Sequence, residues 1–178
     1  MRRALIIISI VLIVGLSFCL MRIYDIRKEK FLGKYLPPVA VKSVLKWSDY
    51  YDIHFLDTFS MIMTESEGKR NAVSPKDCKG YTGLARRTAQ ALRDRLREHC
   101  KNTDIFNTDF NIAGGCLHFR TIYDTAGMHN VLLTIELYNT GVFGYYTMGK
   151  RAPNHVKRFS ISRTYYGYEF NRYLRSGK

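Results

Sequence analysis

The side chains best suited to chemistry lie in one stretch, Met63-Thr64-Glu65-Ser66-Glu67-Gly68-Lys69-Arg70-Asn71-Ala72-Val73-Ser74-Pro75, which continues to Gly80-Tyr81-Thr82-Gly83-Leu84. Ile53, Leu56, Phe59, Ile62 and Met63 precede it at near three- and four-residue spacing, which predicts a helix with one apolar face. The pattern stops at Glu65, and Gly68, Asn71, Ser74 and Pro75 then form a turn-rich run that cannot continue a helix. Glu65 is therefore expected on the last turn of a mostly buried helix, beside a loop. A carboxyl on an apolar helix resists ionisation. One that keeps its proton near neutral pH is what acid catalysis of glycosidic cleavage requires.

Ordinary glycosidases use two carboxylates across the scissile bond. Here Glu67 is two residues on and would point about 200° around the helix, away from Glu65. Asp57 would sit two turns below Glu65 on the same face, too far for a direct role. Glu136 reads as an ordinary charge. This leaves Glu65 as a single usable acid. Nothing suggests a phosphate loop, a Ser/His/Asp set or a metal site, and no cofactor is expected. His54, His99, His129 and His155 are spaced like ordinary surface or packed histidines.

The Glu-Ser pair, then Asn-Ala-Val-Ser-Pro, then Gly-Leu resembles the lytic transglycosylase domain of the soluble (SLT) type, which has a lysozyme-like fold. Three further segments match the same family in the same order. Asn111-Ile112-x-x-Gly115-x-x-His118-Phe119 is similar to its Asn-Ile-x-x-Gly-x-x-Tyr-Leu. Tyr138-Asn139-Thr140-Gly141 is similar to its Tyr-Asn-Ala-Gly, and Asn154-His155-Val156 to its Tyr-Val pattern before the closing helix. The resemblance runs from about Val44 to Leu174. It implies that Glu65 is the catalytic acid and base, and that Ser66, Gly83, Leu84, Tyr138 and Asn139 bind substrate. It also implies the Tyr138 hydroxyl near the catalytic carboxyl and Asn139 near bound sugar.

The chain departs from the family in two places. Asp77-Cys78-Lys79 looks like a three-residue insertion before Gly80, and Ala85 and Arg86 stand where Met and Gln are usual. That Gln contacts substrate sugar in the family. Arg86 is either a surface residue on the next helix or a cation placed for an acidic group on the glycan or its peptide.

A chain of 178 residues has room for one domain plus an anchor. The formal charge of +13 bears on partners and not on fold. Nucleic acid, an anionic membrane surface and an acidic wall polymer are all compatible, but the Lys and Arg are spread along the chain with no basic arm, so no nucleic acid is expected. Tyrosines, thirteen against one tryptophan, can fill a core or line a sugar groove. Cys78 with Cys100, or Cys100 with Cys116, could pair in an oxidising compartment, or the thiols could be free and buried.

Met1-Arg2-Arg3 precedes an uncharged run from Ala4 to Met21. At about 1.5 Å per residue the run spans roughly 27 Å, close to the hydrocarbon thickness of a bilayer. It reads as a transmembrane anchor, with a cleaved signal as the alternative. Arg2 and Arg3 favour a cytoplasmic N-terminus, whereas Arg22, Arg27, Lys28 and Lys30 favour the reverse. Catalysis on peptidoglycan needs the domain outside. A helix continuing from Arg22 is expected to break at Pro37-Pro38, giving an anchor and juxtamembrane helix over 1–36 and a transglycosylase domain over 37–178.

Helices follow over 41–47 and 50–63 with Ser48 or Asp49 as N-cap, then over 88–100, 110–123, 131–138 and 154–173. Thr108 or Asp109 is expected to cap the helix over 110–123. Small residues Ala113, Gly114 and Gly115 would admit a neighbouring helix, and His118 would take the place of a packed tyrosine. Gly144 to Gly149 reads as an aromatic loop. The expected fold is mainly α: a lysozyme-like helical domain preceded by one N-terminal transmembrane helix. The expected activity is membrane-anchored cleavage of the MurNAc–GlcNAc β-1,4 bond with a 1,6-anhydroMurNAc product. The partners would be peptidoglycan glycan strands, the lipid bilayer and an envelope or secretion complex. The alternative is a catalytically impaired lysozyme-like module that binds peptidoglycan or an envelope complex.

Overall fold

The structure, a computed structural model, describes residues 2–176, with side chains from residue 6. The expected basic N-terminal flank, Met1, Arg2 and Arg3, lies outside the residues and side chains so described. The chain is mainly helical. Its elements are α1 (Arg2–Leu32), α2 (Pro38–Tyr50), α3 (Phe55–Ser66), β1 (Cys78–Lys79), β2 (Leu84–Ala85), α4 (Arg86–Leu96), α5 (Thr108–Asp124), α6 (Val131–Thr140), α7 (Val142–Met148) and α8 (Pro153–Arg175).

One helix, over Ile6–Leu32, is long and apolar enough to cross a membrane. Its side chains from Ile6 to Met21 are exposed all round. Its far end is different in kind. Phe31 and Leu32 are buried in the principal core, and the Phe31 ring packs on Phe59, Tyr35 and Phe170. The break occurs before Pro37, which stands as N-cap of α2. Even so, Leu36, in the turn ahead of it, is buried in the same core as α2, α3 and α5.

That core forms where the apolar stripes of α2, α3, α4, α5 and α8 meet. Trp47, Phe59, Ile62, Leu84, Leu96, Phe110 and Ile112 are nearly or fully buried in it. Burial of this kind stabilises by about 25 cal/mol per Å² of apolar surface removed from water. Asp109 ties α5 to α2: Trp47 Nε1–H and Ser43 Oγ–H donate to its Oδ1 at 2.7 and 3.0 Å. Burial pushes the Asp109 carboxyl up, but donation from Trp47, Ser43 and Lys46 outweighs it and holds the carboxyl below its usual value.

Several local expectations change. His54, not Ser48 or Asp49, caps α3: its Nδ1 accepts the Leu56 N–H. Asn107, not Thr108 or Asp109, caps α5 by accepting the Phe110 N–H. Gly144 to Gly149 is not a loop, because residues from Val142 to Met148 form α7. The small face of α5 admits a hairpin loop instead of a helix alone: a Cβ on Gly115 would lie 2.5 Å from Thr82 Cβ. All four cysteines are free; Cys100 and Cys116 are buried, and burial pushes the Cys116 thiol up to about 12.

Candidate active site

Three elements converge on Glu65. It sits on the last turn of α3, which ends when Glu67 takes a left-handed conformation at φ 53°. Its side chain is 15% exposed and faces a cavity of about 640 Å³. Gly83, Tyr138, Asn139, His155 and Arg158 line the same cavity, with Lys76 and Arg151 at its rim.

The hairpin β1–β2 forms the near wall. Cys78 pairs with Ala85 and Lys79 with Leu84, so the apparent insertion at 77–79 supplies a strand. Asn111 of α5 clamps the turn: its Oδ1 accepts the Thr82 N–H, and its Nδ2 donates to the Lys79 and Ile105 carbonyls. Gly83 takes φ +61°, and a Cβ there would stand 2.8 Å from Glu65 Oε2. Only glycine satisfies both the backbone and the approach of the carboxyl.

Tyr138 comes from α6 and closes the far side. Its hydroxyl donates to the Thr82 carbonyl at 2.9 Å, so hairpin and helix are joined behind Glu65. Burial, then the nearby Glu65 charge, pushes the Tyr138 hydroxyl well above its ordinary value, and it remains a donor. The His118 ring packs on Tyr138 at 5.0 Å, and burial lowers its pKa to about 4. His118 is thus a neutral packing residue.

His155, on the first turn of α8, is 6% exposed and faces the acid directly, with Nε2 3.1 Å from Glu65 Oε1. Its Nδ1 faces Asn139 Nδ2 and Arg158 Nη2, each at 3.3 Å. Arginine has only donors, so Nδ1 is the acceptor and the ring proton is on Nε2, on the side of Glu65. Reading the sequence, we placed His155 among ordinary packed histidines. The available signal was its place in the segment resembling the Tyr-Val pattern, just after the helix-starting Pro153.

Of the residues expected at the site, Glu65, Gly83, Tyr138 and Asn139 come together around one cavity. Ser66, Leu84 and Arg86 do not line it. Ser66 is buried and donates to the Ile62 and Tyr81 carbonyls, fixing the end of α3 to the hairpin. Leu84 is buried against α5, where Gly114 leaves room for it. Arg86 is exposed and belongs to a separate depression with Lys79, Arg93 and Asp104. Among the other carboxylates, Asp57 is ion-paired with Arg163 and Glu136 accepts the Ala152 N–H. Among the described residues no group of three or more His, Cys, Asp or Glu is placed to hold a metal ion.

Glu65 thus stands at a helix end in a half-open cavity, with Tyr138 and Asn139 of the distant α6 lining the same space. The family model described as Transglycosylase SLT domain matches residues 44–158, and the chain belongs to that family. Among solved structures the chain is similar to an inactive glutamate-to-glutamine mutant of lytic transglycosylase Slt from Pseudomonas aeruginosa, at 17% identity and a TM-score of 0.55. The likeness covers 75% of this chain but only 24% of that one, so it bears on the fold of one region of a much longer protein. No curated protein matches the chain.

Proposed function

We propose that the protein is a peptidoglycan lytic transglycosylase in which Glu65 is both acid and base. Glu65 gives its proton to the glycosidic oxygen between MurNAc and GlcNAc as the C1–O bond breaks. The MurNAc 6-hydroxyl then closes on C1 and returns its proton to Glu65. The product is a 1,6-anhydro sugar; no water is consumed, and the carboxyl ends as it began. Gly83 lets the glycan approach the acid, Tyr138 walls the cavity and Asn139 faces bound sugar. The rim cations Lys76, Arg151 and Arg158, rather than Arg86, suit the acidic groups of peptidoglycan.

The single observation behind this reading is that the Glu65 carboxyl faces a 640 Å³ cavity shared with Tyr138 and Asn139. We further propose that the apolar part of α1 anchors the protein in the bilayer, with the domain of residues 37–178 on the extracytoplasmic side. A topology reporter fused after Lys178 tests that orientation.

The test of the chemistry uses the purified full chain on isolated sacculi, with products identified by mass. Wild type should release muropeptides ending in anhydroMurNAc. Glu65→Gln should lose that release by about 10³-fold or more while keeping its melting temperature. Equal release by both proteins would overturn the assignment.

A further inference from the structure

We propose that His155 is the positioning residue of the acid, holding Glu65 Oε1 so that Oε2 is the oxygen that exchanges the proton with substrate. The proposal rests on the transglycosylase reading above and adds to it a division of labour between the two carboxyl oxygens.

The two oxygens are not equivalent. Oε1 lies 3.1 Å from His155 Nε2, within ion-pair distance. Oε2 lies beside Gly83 in the cavity wall, and no side chain or backbone N–H among the described residues bonds it. An unpartnered oxygen in an open cavity is free to carry a proton towards a bound glycan. The partnered one fixes the angle at which it does so, since a carboxyl with one oxygen tied has little freedom to rotate. Near-attack geometry of this kind is a large part of enzymatic acceleration.

His155 is itself held. It is almost fully buried, and Asn139 and Arg158 both donate to its Nδ1. A ring so held keeps its proton on Nε2 and presents it to Glu65 through both chemical steps. When Glu65 gives up its proton, that N–H meets a carboxylate and becomes a charge-assisted bond, stronger than the one to the neutral acid. The gain appears as charge develops, which is when it accelerates the reaction. His155 neither loses nor gains a proton over the cycle, so the atom balance of the reaction is unchanged.

The charged and titratable groups around the pair come from every packed element: Glu65 on α3, Tyr138 on α6, Arg158 on α8, Arg151 ahead of it, Lys76 just before the hairpin and Cys78 on its strand β1. None of the three cations forms an ion pair with a carboxylate among the described residues. His155 is thus the one basic side chain within ion-pair distance of the Glu65 carboxyl among the described residues.

Two substitutions separate positioning from packing. His155→Gln keeps an N–H donor close to the Nε2 position, whereas His155→Leu removes it at similar bulk. With the full chain in detergent and soluble glycan strands as substrate, His155→Leu should lower kcat by about 10- to 100-fold with KM nearly unchanged. It should also move the high-pH limb of the rate profile to higher pH, because the carboxylate loses a donor. His155→Gln should recover most of the rate. Wild-type rate and profile in His155→Leu, with Glu65→Gln inactive, would overturn the proposal and leave the transglycosylase reading standing. Activity in Glu65→Gln would instead overturn the reading beneath it. Should His155→Leu fold poorly, imidazole ¹⁵N spectra of wild type against His155→Gln decide: an Nε2-protonated ring supports the proposal and an Nδ1-protonated ring overturns it.

Discussion

Helix α3 carries two carboxylates along its contact with α8, and the two ends are wired in opposite order. At the start of α3, Arg163 bonds Asp57 directly and its other end-nitrogen lies 3.5 Å from His54 Nδ1. Two turns on, His155 Nε2 stands 3.1 Å from Glu65 Oε1 and Arg158 stands behind it on Nδ1. The same three residue types occur at both ends; what differs is which of them touches the carboxyl. Arginine is always charged and has no acceptor, so it stabilises only an ionised carboxylate. A histidine donating through Nε2 supports a carboxyl in either state. The Asp57 end is thus built to hold two helices together, whereas in the proposed mechanism the Glu65 end leaves a proton free to move.

The largest test of this contrast makes one end resemble the other. His155→Arg should place a permanent cation against Glu65 and lower kcat by about 10²- to 10³-fold, some 3–4 kcal/mol of activation free energy, with the fold kept. Steady-state rates on soluble glycan strands and a thermal melt measure both parts. The converse change acts on the other end. Asp57→Asn should cost about 2 kcal/mol of stability, because it leaves Arg163 part-buried without its partner, while kcat stays within about two-fold. A denaturant titration beside a rate measurement checks it.

A third effect belongs to the wall behind the Glu65 end. Burial holds the His118 ring at about 4, against 6.5 for a free histidine. As pH falls below about 6.5 the unfolded chain takes up a proton that the folded chain refuses. Stability is therefore complete above that pH and declines below it, by about 2 kcal/mol at pH 5. His118→Phe should flatten the slope; unfolding midpoints at pH 7 and pH 5 report it. The smallest effect is Tyr138→Phe, which removes the bond to the Thr82 carbonyl. It should cost about 1 kcal/mol of stability and several-fold in rate, read from the same assays.

The helical fold and the position of Glu65 were legible because both depend on local signals. Apolar residues at helical spacing end at Glu65, and the turn residues after it stop the helix where the structure stops it. Gly83, Tyr138 and Asn139 could be named because their segments resemble a known family in the right order. Ser66 and Leu84 fall outside the cavity for a simple reason: each is next to a cavity-lining residue in sequence, and neighbours on a helix or strand face different ways. Arg86 follows the hairpin into α4, whose first turn points away from the cavity. His155 was missed because its role depends on α8 returning antiparallel to α3, a long-range pairing with no local signature. The loop expected at Gly144–Gly149 became helical because Val142 to Met148 continues directly from the Gly141 turn, where φ is 74°.

The most direct measurement is the mass of the glycan ends released from sacculi by the wild-type chain and by Glu65→Gln, run in isotopically heavy water. The account predicts anhydro ends one water lighter than hydrolysis products, with no heavy oxygen incorporated, and none of them from Glu65→Gln. Reducing ends that carry heavy oxygen, or anhydro ends still released by Glu65→Gln, would contradict it.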